Sequence, residues 1–599
     1  MTSPVLVLAL AAALLAPATA RADTPCPPRA QCGTVTVPLD RADPAAGTLD
    51  VAYALVPRAD TGRPALGTIV PNPGGPGSGA IAEAATYEEL FAPLRERRDL
   101  LLIDPRGTGG SGALACPSLA ARDPLTLDLA GLVATCGADL GPRANFYGAA
   151  ATADDFEAVR AKLGIEQLDL YGQSYGTFLL PVYAARHPER VRSMVLSGAY
   201  PLAFDPWARD LAGGVRESIE RVCRRTGECS GRRVLDDLAR LAQRLRKAPV
   251  RFTAPTANGP VELTLGEAEL AMATYGRGDP SVYGLLPAAV AAALDHDYAL
   301  LQRLAARARL FQAAIVTFPP EAVSVAQLAA TTCHDYPMPF DRATPFADRK
   351  AAFDGALSVL EPAAFTPFSA SAWFQSGVWG GPACIGWPGA LTGSPLEGRS
   401  LPDVPVLVQS GDLDTNTPVE QGRAAAAQFP RATFAVIGNA GHTPDADPCA
   451  AAMAIEFVRR LRTDANRCRT AGSPPDVVAR PARRAAELAG TPARRAVAVA
   501  LATAADAQAT AELTQLFGTV GALRGGAYVA AGDGIRIDAA RVVSGAVADG
   551  TLRRDGSAFI TRLRVRGRAV SSARLTLRTT QTGTRITGTV AGVRLRKVA

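Results

Sequence analysis

An apolar run leads into a tight glycine-bounded turn in Leu168-Asp169-Leu170-Tyr171-Gly172-Gln173-Ser174-Tyr175-Gly176. The first four residues are typical of a buried strand, and a helical pattern continues to Arg186. Gly-x-Ser-x-Gly between a strand and a helix predicts a nucleophile elbow. The turn is so tight that side chains two positions before or after the serine would collide, and the serine itself takes a strained backbone. The elbow would hold the Ser174 hydroxyl at the carboxyl-terminal edge of a sheet.

Further short apolar runs surround this segment and precede glycine-rich turns or helical stretches. They lie at residues 67–70, 100–103, 194–196, 404–408 and 434–437. Runs that are apolar on both faces and separated by helices indicate a mostly parallel sheet covered on both sides. Before them, residues 33–58 predict an antiparallel pair of strands around a Pro/Gly turn. The predicted fold class is therefore α/β.

The composition excludes several classes of protein. The chain has 599 residues, of which 48% are hydrophobic and 20% charged, so it is neither mainly disordered, nor collagen-like, nor one small domain. The net charge of +7 is unevenly placed, since residues 475–599 hold 20 basic and 8 acidic residues. The basic charge therefore marks a separate C-terminal region.

Changes of pattern along the chain predict its domains. Mainly helical segments, including 215–223, 234–245 and 282–304, replace the strand rhythm in the middle of the chain, as in an inserted cap. After a Pro-rich stretch, helical periodicity at 483–517 gives way to β alternation with glycine turns. The predicted boundaries are a signal peptide (1–22), a first core part (23–204), a helical cap (205–390), a second core part with the acid and histidine (391–472), a helical connector (473–520) and a basic β-rich domain (521–599).

The N-terminal residues predict export. Residues 5–16 form an apolar run that is followed by Ala18-Thr19-Ala20 and Ala20-Arg21-Ala22, which fit signal-peptidase sites. A membrane anchor needs about 17–25 apolar residues, so a cleaved signal is favoured over a transmembrane anchor. We therefore expect a secreted, extracellular protein, with the cell wall as a candidate site of attachment.

All ten cysteines follow the predicted cleavage site, which in an exported chain suggests disulfide bonds. Nearest-neighbour pairing keeps each bridge within one structural region and gives Cys26–Cys32, Cys116–Cys136, Cys223–Cys229, Cys333–Cys384 and Cys449–Cys468. No C-x-x-C occurs and no histidine lies at ligand spacing from a cysteine pair, so no metal site is predicted.

A serine nucleophile needs a base, and the chain has four histidines: His187, His296, His334 and His442. We favour His442, because it follows the last predicted sheet strand in a loop that can return to the same sheet edge. The carboxylate that orients it is expected from the loop Gly411-Asp412-Leu413-Asp414-Thr415-Asn416-Thr417-Pro418. Asp414 is favoured over Asp412, which fits a turn residue better.

Acyl transfer also needs two backbone N–H groups directed at the developing oxyanion. The glycine-rich loop Asn72-Pro73-Gly74-Gly75-Pro76-Gly77-Ser78-Gly79 follows a predicted strand, where such a loop belongs. We assign one donor to Tyr175 and the other to Gly75, with Gly74 as the alternative. A phosphate-binding loop is disfavoured, because no Lys-Ser/Thr pair ends it and no acidic residue lies at Rossmann spacing.

Several motifs together resemble the secreted tripeptidyl aminopeptidases, relatives of the prolyl aminopeptidases in the α/β-hydrolase superfamily. They are the 72–79 loop, Asp104-Pro105-Arg106-Gly107-Thr108-Gly109-Gly110-Ser111, the elbow, Cys384-Ile385-Gly386-Trp387-Pro388, the 411–418 loop and Gly441-His442. The order Ser174, Asp414, His442 is also that of α/β-hydrolases. The resemblance covers about residues 30–470. Prolyl aminopeptidases usually have His at the position of Asn72, which favours the tripeptidyl branch.

This resemblance implies an α/β-hydrolase fold with a cap, and release of short peptides from free N-termini through an acyl-enzyme, without cofactor. Peptides with a free N-terminus are then the expected partners. Acidic cap residues would receive the substrate α-ammonium, and the cap offers Glu217, Glu220, Glu262, Glu267, Glu269 and Asp279. Asp104 and Arg106 are expected to brace the loops behind the active site through an ion pair.

Alternative functions stay open at this stage. The same triad suits an exported esterase, lipase or lactone hydrolase, and a hydrolase fold can serve a non-catalytic binding protein. The basic C-terminal domain suits an anionic cell-envelope polymer, a protein partner or a solubilising role, whereas nucleic acid is not expected for an exported enzyme.

Overall fold

The computed structural model describes residues 25–126, 128–377, 381–388 and 394–598. The predicted signal peptide, residues 1–22, lies outside them. The described chain divides into two compact units, one of residues 25–231, 274–283 and 311–476 and the other of residues 232–273, 284–310 and 477–598. The predicted cap segment has residues in both units, and the predicted domain boundaries stay a prediction.

Within the described residues there are eighteen strands and sixteen α-helices. The strands are β1 (Gln31–Pro38), β2 (Thr48–Val56), β3 (Thr68–Asn72), β4 (Asp99–Ile103), β5 (Leu168–Gln173), β6 (Val191–Ser197), β7 (Val250–Thr256), β8 (Gly259–Leu265), β9 (Val406–Gly411), β10 (Ala432–Ile437), β11 (Thr519–Gly521), β12 (Ala527–Ala531), β13 (Gly534–Ala540), β14 (Ala546–Asp555), β15 (Ala558–Gly567), β16 (Ala573–Thr580), β17 (Gly583–Val590) and β18 (Val593–Val598). The helices are α1 (Ala84–Leu90), α2 (Leu129–Leu140), α3 (Ala149–Lys162), α4 (Gly176–Arg186), α5 (Arg209–Thr226), α6 (Gly231–Lys247), α7 (Glu267–Tyr275), α8 (Ser281–Leu294), α9 (Ala299–Thr317), α10 (Val325–Asp335), α11 (Arg349–Ser358), α12 (Ala370–Gln375), α13 (Val419–Ala427), α14 (Pro448–Arg460), α15 (Pro492–Ala509) and α16 (Ala511–Phe517).

The first unit contains an eight-stranded sheet of order β1-β2-β4-β3-β5-β6-β9-β10. Strands β3 to β6, β9 and β10 pair in parallel, whereas β1 and β2 form the predicted antiparallel pair and β2 joins β4 antiparallel. The mostly parallel sheet is confirmed. Because parallel strands point the same way, the loops after β3, β5, β9 and β10 emerge at one edge.

Both faces of this sheet are covered, as the apolar runs predicted. On one face, the core includes Phe156 of α3 and Phe178 of α4. On the other, it includes Tyr87 of α1 and Met453 and Phe457 of α14. The α/β fold class is confirmed, and the two covered faces hold β5 and the turn that follows it rigidly in place.

The insertion between β6 and β9 is mainly helical, as predicted, but differs in two details. Strands β7 and β8 form an antiparallel hairpin that the sequence patterns did not predict. The predicted helical segment 282–304 is wrong as one continuous element, because α8 ends at Leu294 and α9 begins at Ala299. His296, in the break, has the left-handed φ of 61°, which cannot continue a helix.

Five disulfide bonds join the cysteines as nearest neighbours, so the predicted pairing is confirmed: Cys26–Cys32, Cys116–Cys136, Cys223–Cys229, Cys333–Cys384 and Cys449–Cys468. Cys333–Cys384 closes the longest loop, with a sequence separation of 51 residues, and therefore restricts the unfolded chain most.

The second unit contains an eight-stranded antiparallel sheet in which β11 to β18 follow one another in chain order. Helix α15 covers one face, and its Val499 and Ala500 share a core with residues such as Leu563 and Leu577. The predicted C-terminal β-rich domain is thus confirmed. In the part of the chain that the structure describes, no helix has the length and apolar character needed to cross a membrane.

Candidate active site

The turn after β5 has the geometry of a nucleophile elbow. Ser174 has φ 50°, a strained value for a residue with a side chain, and its N–H donates to the Ser197 carbonyl over 3.0 Å. A Cβ on Gly172 would lie 2.5 Å from the Gly176 carbonyl oxygen, and a Cβ on Gly176 would lie 2.6 Å from the Asn72 carbonyl oxygen. Only glycine fits at both positions, so β5 can turn sharply into α4 and present Ser174.

The elbow glycines yield a prediction on stability. Gly172→Ala or Gly176→Ala forces a methyl group into backbone, which we expect to destabilise the fold by about 1–3 kcal/mol or more. Gly213→Ala in α5 is the matched control, because its nearest outside atom is Arg216 Nη2 at 3.6 Å. Thermal unfolding should show lower midpoints for both elbow variants and an unchanged or higher one for the control. An unchanged midpoint for Gly172→Ala would contradict the tight turn.

The loops after β9 and β10 bring Asp414 and His442 together. His442 Nδ1 lies 2.9 Å from Asp414 Oδ2, and the Asp414 side chain is only 2% exposed. Asp414 Oδ1 accepts the N–H groups of Asn416 and Thr417 over 2.7 and 3.0 Å, and Oδ2 accepts the Thr417 hydroxyl over 2.6 Å. The carboxylate is therefore fixed by its own loop before it meets the histidine.

Asp412, the alternative acid, has other partners. It forms an ion pair with Arg225 and accepts the Asn439 N–H over 2.8 Å. It therefore links α5 to the loop after β10 and does not contact His442. The turn role expected of Asp412 is wrong, because Asp414 accepts the N–H groups of its own turn, whereas Asp412 binds Arg225 and Asn439 outside the loop.

The other three histidines lie elsewhere. His187 Nε2 lies 3.1 Å from Asp154, and His334 Nδ1 lies 2.7 Å from Asp335. His296 lies in the break between α8 and α9 and packs edge-on against Tyr298. Of the four, His442 alone is joined to a carboxylate of the loop after β9.

The second nitrogen of His442 faces an amide that sequence reasoning missed. His442 Nε2 lies 3.2 Å from Asn416 Nδ2, and Asn416 Oδ1 accepts the Tyr275 hydroxyl. Since Asp414 can only accept, the Nδ1 proton is assigned to that contact and Nε2 is left as an acceptor. Among the described contacts, Ser174 Oγ and His442 share no hydrogen bond. Gly198, which follows Ser197, lies beside His442, since a Cβ on it would lie 3.3 Å from His442 Cε1.

The glycine-rich loop after β3 comes close to the elbow. A Cβ on Gly74 would lie 3.0 Å from both Ser174 Cβ and the Tyr175 nitrogen. The Gly74 N–H donates to Asn72 Oδ1 over 3.2 Å. In the described structure, the N–H groups of Gly75 and Tyr175 donate to no protein acceptor. Both N–H groups are thus free of protein acceptors, one on the residue after Ser174 and one on the residue after Gly74, whereas that of Gly74 is engaged.

A buried polar network supports the elbow from behind, and no sequence motif predicted it. Asp445 accepts hydrogen bonds from Tyr171 Oη over 2.8 Å, from Gln173 and from Ser197. Burial raises the pKa of the Asp445 carboxyl. Since Gln173 precedes Ser174 and Asp445 follows His442 by three residues, the network links the two loops.

The expected ion pair between Asp104 and Arg106 is wrong. Arg106 forms a buried two-pronged pair with Asp155, at 2.6 and 2.7 Å. Asp104 instead accepts the N–H groups of Ile81 and Gly110, each over 2.9 Å, and burial raises its pKa to about 6. Both residues still brace loops, but the arginine's two-pronged geometry finds its carboxylate on α3.

Most of the cap carboxylates singled out in the sequence have local partners. Glu217 pairs with Arg221, Glu267 with Arg246, Glu262 with the Thr253 hydroxyl, and Glu269 with the Gly266 N–H. Three of these contacts stay within one helix, hairpin or turn, and the pair of Glu267 with Arg246 joins α7 to α6. These local partners fit a structural role better than a substrate site, and Glu267 is buried.

Asp210, a carboxylate that sequence reasoning did not single out, has a different environment from these four. It lies in the first turn of α5 and accepts a hydrogen bond from Gln421 Nε2 over 2.7 Å. No cation pairs with it among the described residues, and burial raises its pKa to about 6.

Helix α5 places Asp210 near the loop after β9, which carries Asp414. One turn after Asp210, a Cβ on Gly214 would lie 2.9 Å from Pro418 Cβ. Burial raises the pKa of Tyr275; Arg277 lowers it, and the charges of Asp414 and Asp210 raise it further. Asp210 thus lies within electrostatic reach of the residue that holds Asn416.

Comparison with known proteins agrees with this architecture. The family described as the alpha/beta hydrolase fold matches residues 67–444. The serine protease Hip1 of Mycobacterium tuberculosis is 34% identical over 206 residues, which are 31% of this chain and 39% of that protein. The tripeptidyl aminopeptidase of Streptomyces lividans is 31% identical over 194 residues, 29% of this chain and 36% of that protein.

A proline iminopeptidase of Neisseria gonorrhoeae is 35% identical over 127 residues, 21% of this chain and 31% of that protein. The chain thus spans 31 to 39% of the length of these relatives. The family match is broader, since it takes in more than half of the 599 residues, including the elbow and the loops with Asp414 and His442. With its mostly parallel sheet covered on both faces, the chain belongs to the α/β-hydrolase fold family.

Proposed function

We propose that the protein is a secreted serine aminopeptidase that releases short peptides, such as tripeptides, from free N-termini. Ser174 is the nucleophile, His442 the general base and Asp414 its orienting acid. The observation that carries the proposal is the 2.9 Å contact between His442 Nδ1 and the buried Asp414, at the sheet edge that also holds the strained Ser174 turn. The peptidase assignment is supported by the relatives, which are named as peptidases.

In the first half-reaction, His442 Nε2 takes the Ser174 hydroxyl proton while Oγ attacks the scissile carbonyl carbon. The tetrahedral intermediate collapses when the C–N bond breaks and His442 returns the proton to the leaving amine. Water, deprotonated by His442, then hydrolyses the ester to Ser174. Asn416 Nδ2, which contacts His442 Nε2 in the structure, must give way to the Ser174 hydroxyl for the first proton transfer.

The Gly75 and Tyr175 N–H groups are proposed to stabilise the oxyanion. Preorganised donors of this kind contribute about 3–4 kcal/mol each when one is removed from a hydrolase. The support here is that neither N–H group has a protein acceptor in the described structure, and that Gly75 adjoins Gly74, which lies beside Ser174 but donates to Asn72. The positive φ of Gly75, 109°, favours glycine at that place.

Asp210 is proposed to bind the substrate α-ammonium. It is a half-buried carboxylate without a cation partner in the described chain, and an ammonium group would supply the missing charge. The helix that carries it contacts the Asp414 loop, so the free N-terminus would be held at a fixed distance from Ser174. That distance would limit the length of the released peptide.

Asp210→Asn should therefore raise KM for a free-amine peptide reporter by about 10- to 100-fold, the loss expected for a hydrogen bond to a charged group, with a smaller change in kcat. Asp205→Asn is the matched control, because Asp205 pairs with Arg209 at 2.9 Å. An equal rise of KM in both variants would contradict the assignment.

The same carboxyl group should produce a pH dependence. With its pKa raised to about 6 in the free protein, Asp210 is protonated as the pH falls through 6 and then attracts the ammonium less. KM for a free-amine reporter should rise below pH 6 in the wild type and stay flatter in Asp210→Asn. An N-acetylated reporter should lack this rise in both proteins.

A matched panel of reporters tests the function itself. It contains a tripeptidyl amide with a free amine, its N-acetylated counterpart, a prolyl amide and a short-chain ester, each assayed with wild type and Ser174→Ala. Preference for the free-amine tripeptide, lost in the variant, is the expected result. Hydrolysis of the ester, with no preference for a free amine over its N-acetylated counterpart, would support Ser174 as the nucleophile but indicate an esterase. No turnover of any reporter would favour a binding protein.

A further inference from the structure

The C-terminal antiparallel sheet has a strongly basic exposed face. Residues 546–599 include 12 basic and only two acidic residues. Along β15 to β17, Leu563, Leu575 and Ile586 point into the core under α15, and the alternate positions point to solvent. We call the exposed set the arginine face: Arg562, Arg564, Arg566, Arg574, Arg578, Arg585 and Arg594.

Like charges lie directly opposite one another on this face. Arg564 of β15 is paired in register with Arg574 of β16, and Arg578 of β16 with Arg585 of β17. Cross-strand pairs of like charge destabilise a sheet, because the side chains are about 4.5–5.5 Å apart at Cβ. These two like-charge pairs therefore add nothing to folding, although Arg564 also lies in register with Asp549 of β14, and they suit a surface that meets anions.

Few acids neutralise the face. Arg566 pairs with Asp549 at 2.9 Å and Arg578 with Asp555 at 2.6 Å. Across the part of the sheet that the structure describes, the other five arginines form no ion pair with the protein. Their guanidinium groups remain available to an external ligand.

The spacing and the neighbours indicate the kind of ligand. Arg562, Arg564 and Arg566 alternate along β15, so successive guanidinium groups stand about 6.8 Å apart. Between the arginines lie Thr576, Thr587 and other hydroxyl residues, and no aromatic side chain is among the exposed positions of this face in the described strands. Guanidinium groups bind phosphate and carboxylate with two parallel hydrogen bonds, and threonine adds neutral ones.

We propose that the arginine face binds a linear polyanion with phosphodiester groups joined by flexible polyol or sugar units, of the kind found in cell envelopes. A flat row of cations fits a flexible chain of regularly spaced anions. Single-stranded nucleic acid is disfavoured because its bases need aromatic stacking partners. Duplex DNA is disfavoured because a broad flat sheet cannot enter a groove to reach the bases.

The test is binding of the full chain to immobilised poly(glycerol phosphate) over a series of salt concentrations. The face variant combines Arg564→Gln, Arg574→Gln, Arg585→Gln and Arg594→Gln. The control removes the same charge from exposed positions outside β14 to β18, with Arg232→Gln, Arg251→Gln, Arg494→Gln and Arg541→Gln. Single-stranded DNA of equal charge is the competing ligand.

We expect the wild type and the control to bind with similar Kd. The face variant should bind about 100-fold more weakly at low salt, and the slope of log K against log salt should fall by about 3. Equal weakening in the control would show that the loss of net charge alone explains the weaker binding, and it would overturn the proposal. Tighter binding of DNA, or no binding of the polymer, would overturn it as well. Reporter hydrolysis is read in parallel and should not change in the face variant.

Discussion

Ser174→Ala is expected to lower kcat by about 10⁴- to 10⁶-fold, the range found when the nucleophile of a serine hydrolase is removed. The substitution deletes the only atom that the mechanism bonds to the acyl group, so no acyl-enzyme can form. Ser174 is partly exposed and its positive φ is a strained value for alanine as much as for serine. Folding should therefore be unaffected.

The comparison needs a readout of folding and one of binding. Thermal unfolding of Ser174→Ala should match that of the wild type, and a free-amine tripeptide should still bind. Residual activity within tenfold of the wild type would show that another group performs the chemistry, because loss of a nucleophile acts on the reacting bond itself.

Asp414→Asn is expected to lower kcat by about 10⁴-fold with little change in KM, as when the orienting acid of a serine hydrolase is made neutral. In the wild type, Asp414 can only accept, so it holds the proton on His442 Nδ1. The asparagine amide can donate to Nδ1 instead, while its oxygen accepts from Thr417. The ring proton would then sit on Nε2, where the base must accept the Ser174 proton.

Asp412→Asn is the matched control, two residues away in the same loop. The substitution weakens the ion pair with Arg225, whose Nη1 lies 3.1 Å from Asp412 Oδ1, and the hydrogen bond that Asp412 accepts from the Asn439 N–H. The lost pair should lower the thermal midpoint, while kcat stays within about tenfold because neither group touches the reacting atoms. If Asp412→Asn instead lost activity and Asp414→Asn did not, the two carboxylates would have exchanged roles.

Local patterns were sufficient to predict much of the fold. The strand, glycine, serine and helix of residues 168–186 are contiguous, so sterics alone predict the elbow between β5 and α4. The apolar runs predicted the parallel strands because a sheet buried on both faces excludes polar residues from its strands. Cysteine pairing was predictable because most of the bridges close short loops, such as the six-residue separation of Cys223 and Cys229.

What the sequence could not predict depends on contacts between distant segments. Asn416 contacts His442, which is 26 residues further along the chain. Asp445 accepts a hydrogen bond from Gln173, which is 272 residues before it. In the sequence Asp210 is an ordinary acidic residue at the start of a helix, and only its contacts in the structure distinguish it. One signal was available: Thr417 follows Asp414 by three residues, a spacing that lets a carboxylate accept backbone and hydroxyl groups of its own turn.

The β7–β8 hairpin was missed although its signals are local. It lies inside a mainly helical insertion, and a two-residue turn of Ala257 and Asn258 joins its strands. Apolar and polar residues do alternate in both strands, at 250–254 and 261–265, so the signal of a half-buried strand pair was available, but the helical segments on either side outweighed it. The break between α8 and α9 depends on one left-handed residue, His296, whose conformation no periodicity reveals.

Covalent labelling with a fluorophosphonate, followed by peptide mass mapping, tests the central claim most directly. The reagent reacts only with a serine that an adjacent base activates and that an oxyanion site serves. We predict a single adduct on Ser174, slow labelling of Asp414→Asn and none of Ser174→Ala. An adduct on another residue, or no adduct from a protein that turns over peptide or ester reporters, would contradict the account.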